Sequence, residues 1–216
     1  MIVLFGVLRA LLSAGVVVGL THLATTPPRE AMAILEDGVA AASAQTRAKI
    51  VALAQSPVGY TTDPSTTYCN RFRAFWVSGP AQCGNSHRDE QWCADFAAWT
   101  WCMAGVPLVN QYINGEINSS SASFYKRVVR HHTWHPVTSN DVPRPGDVAV
   151  YGLDVLIAQH VVIVVSDTPT SAGPNAIAGD GDQTRYSRVE YRANQYSADA
   201  EGTGVATLAG DVLPSA

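Results

Sequence analysis

Gln91-Trp92-Cys93-Ala94-Asp95-Phe96-Ala97-Ala98-Trp99-Thr100-Trp101-Cys102-Met103-Ala104 is the stretch on which the fold turns. Gly105 and Pro107 supply a helix stop directly behind it. Its apolar residues cover nearly every face, so the helix predicted over 91–104 is a buried central one rather than an amphipathic surface one. Working outward, residues 33–55 are rich in Ala, with apolar Ile34, Leu35, Val39, Ile50, Val51 and Leu53. They predict one or two leading helices, the second halted by Pro57 and Gly59. Residues 61–87 are rich in turn-formers, hold Cys69 and Cys83, and read as an irregular segment. Residues 108–123 are loop-like, with an Asn114-Gly115 turn and an Asn118-Ser119-Ser120 glycosylation triplet that is weak evidence alone. Residues 123–130 predict a short helix.

Past Pro143-Arg144-Pro145-Gly146 come three apolar runs, 148–151, 160–165 and 176–178, and 189–192 adds a fourth. Turn-formers separate them, as in the strands of one antiparallel sheet. Helices first and strands afterwards make the chain α+β rather than alternating βαβ. Beyond residue 195 too little chain remains for a second domain.

The composition bounds the function. The chain has 216 residues, 47% hydrophobic and 15% charged, which excludes a disordered polypeptide. The formal charge is −4 and no Lys/Arg run occurs, so no nucleic-acid surface is expected. Residues 1–23 carry a single charge, Arg9, ahead of an apolar stretch over 10–20. That is the pattern of an export signal, with Ala31-Met32-Ala33 suited to a signal peptidase. The alternative is an uncleaved membrane anchor through residues 1–23, since residues 2–20 almost reach the length of a bilayer span. Export places the chain outside the membrane, where disulfides persist.

Chemistry concentrates at three positions. Cys93 stands near the start of the buried helix, where free N–H groups and the positive end of the helix dipole stabilise a thiolate and can bind an oxyanion. His160 opens the most apolar strand and would serve as base. Asp180, at the end of the next strand, would orient the imidazole, with Asp182 as the alternative. Cysteine, histidine and carboxylate in this order follow the logic of a Cys/His triad. The plainer readings are a small buried hydrophobe for Cys93, a structural histidine, and a turn at Gly179-Asp180-Gly181-Asp182.

Four blocks carry a family resemblance: Gln91-Trp92-Cys93-Ala94-Asp95-Phe96, Arg144-Pro145-Gly146-Asp147-Val148, Gln159-His160-Val161-Val162-Ile163-Val164 and Ile177-Ala178-Gly179-Asp180. In this order, over roughly residues 45–192, they resemble a CHAP domain, the cysteine- and histidine-dependent amidohydrolase/peptidases of the papain-like clan. The resemblance implies a papain-like α+β fold, with the nucleophile helix packed on an antiparallel sheet. It implies cleavage of bacterial peptidoglycan, in the stem peptide, the cross-bridge or the muramoyl-L-alanine amide. It implies no cofactor. It places the nucleophile at Cys93 and the base at His160; the family's third residue is often Asn or Glu, and Asp180 stands at that position here. The organisation that follows is a signal or anchor over 1–33, leading helices over 34–60, a catalytic domain over 61–195 and a tail over 196–216, the whole acting as a monomer. The competing classes are a catalytically silent wall-binding module and a secreted papain-like protease.

The remaining residues read structurally. Asp147 opens a strand, and Asp95 favours the helix dipole. His131, His132 and His135 lie on one short segment that cannot place three ligands tetrahedrally, so no metal is expected. A nucleophilic Cys93 must be unpaired. Cys93 and Cys102 are also about 13–14 Å apart along one helix at 1.5 Å per residue, beyond disulfide reach. That leaves Cys69–Cys83 as the expected disulfide, with Cys69 or Cys83 to Cys102 as runner-up.

Overall fold

The computed structural model describes residues 28–62, 70–72, 91–106, 108, 117–136, 143–153, 157–166, 174–180, 188–193, 197–200 and 204–212. The residues expected to form an export signal or anchor fall almost entirely outside these, as do Cys69, Cys83 and Asp182. Residues 1–45 form one compact unit and residues 46–216 a second. Of the first, the described part is helical, the beginning of α1 (Pro28–Gln55). The Ala31-Met32-Ala33 triplet lies within α1, which is one continuous helix.

Among the described residues, the second unit contains the end of α1, α2 (Cys93–Ala104), α3 (Ala122–His131) and seven strands. These are β1 (Trp134–Pro136), β2 (Val148–Tyr151), β3 (His160–Ser166), β4 (Asn175–Ala178), β5 (Glu190–Arg192), β6 (Ser197–Ala200) and β7 (Gly204–Val212). The sheet runs β1-β7-β2-β3-β4-β5, with β6 also paired to β7, and every neighbouring pair is antiparallel. The chain is therefore α+β, with helices preceding strands. The expected runs at 148–151, 160–165, 176–178 and 189–192 are β2 to β5. The segment expected to trail the domain at 196–216 instead supplies β6 and β7, and β7 lies inside the sheet between β1 and β2.

Side chains alternate across the sheet with the period of two that the pleat imposes. Val148, Val150, Val161, Ile163 and Ile177 join the main core with Cys93, Phe96, Ala97 and Trp101 of α2. Ala149, Tyr151, Val162, Val164, Ala176 and Ala178 form a separate cluster of their own. Strands apolar on both sides read as continuous runs rather than alternating ones, which is why the sequence shows them so plainly.

α2 packs against β3, and α3 against β1, β2 and β7. Gly105 ends α2 in the left-handed region at φ 101°, its N–H donating to the Cys102 carbonyl and that of Val106 to the Trp101 carbonyl. This paired closure satisfies the last turn, and glycine supplies the positive φ without steric cost. Around Phe72 an aromatic group assembles: Tyr60, Trp92, Phe96 and Trp99 lie with ring centroids 5.4, 5.6, 5.0 and 4.9 Å from it. Trp92 and Trp101 are fully buried core residues.

The Pro145-Gly146-Asp147 turn has the structural role expected of it. Asp147 Oδ1 pairs with Arg47 Nη1 at 2.6 Å, its Oδ2 accepts from the Arg144 N–H at 2.7 Å, and Trp101 Nε1 donates to the Gly146 carbonyl at 3.1 Å. A fully buried carboxylate held by a guanidinium and a backbone N–H ties the end of α1 to the start of β2.

Candidate active site

Cys93 is the first residue of α2 and is buried. Its Sγ lies 3.3 Å from Ser121 Oγ, a residue brought in from the start of α3. Backbone groups of Val161 and Ala94 also hydrogen-bond to the sulfur. Since both favour the thiolate, they act as N–H donors. Val161 is the second residue of β3, paired with Val150 of β2, and lies beyond the last described β3–β4 pair, Ile163 with Ile177. Burial pushes the Cys93 thiol up to about 11, and the Asp180 charge adds to that; the Ser121 hydroxyl and the two N–H groups oppose it. At neutral pH the resting group is a thiol.

Asp180 is buried next to this helix start. It follows Gly179 at the end of β4 and adopts a left-handed φ of 58°, rare for a residue with a side chain. Gly179 lets β4 approach α2 closely, for an added Cβ there would collide with the Phe96 side chain. From that position Asp180 Oδ2 accepts the Trp92 N–H at 3.1 Å. Trp92 precedes α2 and has no cap from its own side chain. The carboxylate therefore serves as a helix cap delivered from 88 residues away, at the end of the helix where negative charge is favoured.

His160 stands beside Val161, within one residue of a group that touches the sulfur. It pairs in register with Tyr151 across β2 and β3, and directly opposed residues share a face of the sheet. The two rings lie 6.4 Å apart. Among the described residues, no hydrogen bond joins the imidazole to Cys93 or to Asp180. Burial lowers its pKa to about 4, assisted by the positive charge of Arg192. The imidazole is thus neutral at pH 7, the state in which it can accept a proton. Tyr151, on the same side, is also raised by burial.

The structure thus brings Cys93 and Asp180 together and sets the backbone beside His160 against the sulfur, while the imidazole faces Tyr151. No family model matches the chain, and neither does any curated protein or solved structure. Two described cysteines, Cys93 and Cys102, are free thiols. The runner-up disulfides through Cys102 are thereby set aside, whereas the expected Cys69–Cys83 pair lies outside the described residues. Among the described residues, no three His, Cys, Asp or Glu side chains converge on a metal-sized site. His131 ends α3, His132 follows it at φ 57°, and His135 sits in β1. No helix among the described residues is long and apolar enough to cross a membrane.

Two features escaped the sequence. Ser121 gave no local signal, because a serine before a helix reads as an ordinary cap. The capping contact of Asp180 joins residues 88 positions apart and leaves no periodic trace.

Proposed function

We propose that this chain is an exported cysteine hydrolase of the papain-like CHAP kind that cleaves amide or peptide bonds of bacterial peptidoglycan. The observation that carries the reading is the Cys93 site: a thiol on the first residue of a buried helix, surrounded by hydrogen-bond donors, one of which adjoins His160. The α+β frame supports it, as do the four sequence blocks at 91–96, 144–148, 159–164 and 177–180.

In the proposed reaction the neutral imidazole of His160 leaves the Tyr151 face by movement of the first residue of β3, and reaches the sulfur round that strand end as substrate binds. Catalytic hydrogen bonds commonly tighten only in the substrate complex. His160 takes the Cys93 proton, and the thiolate attacks the carbonyl carbon. The oxyanion is held by N–H groups at the start of α2, including that of Cys93. His160 returns the proton to the leaving amine, giving a thioester on Cys93. Water, deprotonated by His160, then releases the acid and restores the thiol. The scissile bond is the muramoyl-L-alanine amide or one within the stem peptide or cross-bridge. Residues 1–23 export the chain or anchor it facing outward.

One observation favours a second reading, a catalytically silent wall-binding module: the resting imidazole faces Tyr151, and the thiol is protonated. Zymography in peptidoglycan and casein gels separates the readings. Clearing in peptidoglycan alone supports the wall hydrolase, and clearing in casein indicates a protease. Absence of clearing in both, with sedimentation on purified sacculi, indicates the silent module.

A further inference from the structure

We propose that Ser121 is a positioning residue for Cys93, holding the sulfur through its hydroxyl and donating to it when the thiolate forms. The proposal rests on the reading of Cys93 as nucleophile. Ser121 immediately precedes α3, where a serine ordinarily caps the helix by accepting from an N–H two or three residues on. It does not cap here. Its backbone is helical, at φ −55° and ψ −33°, and its side chain makes no capping bond.

The work of closing the helix start falls to its neighbours. The Ser123 N–H donates to the Ser120 carbonyl at 2.9 Å, and the Phe124 N–H to the Ser121 carbonyl at 3.3 Å. Ser123 Oγ donates to the Ser120 carbonyl at 2.6 Å and accepts from the Asn118 N–H at 3.1 Å. Asn118 Oδ1 accepts from the Ser120 N–H at 2.8 Å. The 118–123 segment is thus closed on itself, and the buried Ser121 hydroxyl is left aimed at Cys93 Sγ.

A hydroxyl suits this position because it can accept from a thiol or donate to a thiolate. Burial and the neighbouring Asp180 charge both disfavour the thiolate, and Ser121 supplies the side-chain donor that opposes them. As the proton leaves Cys93, the hydroxyl hydrogen must point at sulfur, which fixes the lone pair's direction as well as its energy.

The test reads the thiol directly and needs no substrate. Full-length protein is alkylated with iodoacetamide at several pH values from about 7 to about 10, where the rate is proportional to the thiolate fraction, so that the rate ratio at fixed pH gives the shift in the thiol midpoint; the Cys93 peptide is quantified by mass spectrometry. Ser121→Ala is expected to slow Cys93 alkylation about tenfold at fixed pH, an upward shift of about one unit in the thiol midpoint. Ser121→Thr, which keeps the hydroxyl, is expected to restore the midpoint. An unchanged midpoint in a folded Ser121→Ala protein overturns the proposal, and so does a shift that Ser121→Thr, equally well folded, fails to reverse. The midpoint shift together with absence of wall hydrolysis in the wild type would support Ser121 as the partner of the thiol and refute the proposed function.

Discussion

Replacing Asp180 by asparagine and by alanine separates its contact with α2 from its charge. Asp180 Oδ2 accepts the Trp92 N–H at 3.1 Å, and its backbone is left-handed at φ 58°. Alanine leaves a buried N–H without this acceptor, at about 1–3 kcal/mol. The left-handed backbone adds little to this difference, because aspartate already carries a Cβ there. At about 2–4 °C per kcal/mol for a chain of this size, the melting temperature falls by roughly 2–12 °C. Asparagine keeps an acceptor oxygen and tolerates a positive φ, so its loss is expected near 1 kcal/mol, within about 4 °C. Asparagine also removes the negative charge that helps hold the Cys93 thiol up at about 11, so the thiol midpoint is expected to fall. Thermal unfolding followed by circular dichroism reads the first effect, and pH-dependent alkylation of Cys93 reads the second. Equal destabilisation by asparagine and alanine, with an unmoved thiol midpoint, would refute this account of Asp180.

Gly179→Ala places a Cβ against the Phe96 side chain, and an overpacked contact of this kind costs about 1–3 kcal/mol; a melting temperature equal to wild type would contradict the close approach of β4 to α2. His160, lowered from 6.5 to about 4, binds its proton in the unfolded chain before the folded one does. Its contribution is therefore present above pH 6.5 and lost as pH falls toward 4, by at most about 3 kcal/mol. Urea unfolding of wild type and His160→Gln at pH 7 and pH 4.5 should show a smaller acid loss in the variant.

Much of the frame was legible because it rests on local pattern. A run of apolar residues on every side of 91–104, stopped by Gly105, specifies a buried helix. The strands at 148–151, 160–166 and 175–178 are apolar on both faces, so they stand out as unbroken runs. Residues 204–212, Gly-Val-Ala-Thr-Leu-Ala-Gly-Asp-Val, carry two glycines and two alanines, which weaken any strand signal. Their place in the sheet comes from pairing with β1 and β2, a long-range fact that no window of sequence contains. At the site, position along α2 made Cys93 conspicuous, and the strand start made His160 so. The direction of the imidazole was not legible, because it depends on which face β3 presents to α2. Ser121 was hidden for a related reason: only the tertiary packing of α3 against the sheet brings its hydroxyl to sulfur.

Peptidoglycan zymography of wild type beside Cys93→Ala tests the central claim most directly. The account predicts a cleared band from the wild type and a loss of more than about a thousandfold in the variant, with the melting temperature nearly unchanged. Clearing by Cys93→Ala at a rate near wild type would contradict it, because no thioester could then form at residue 93.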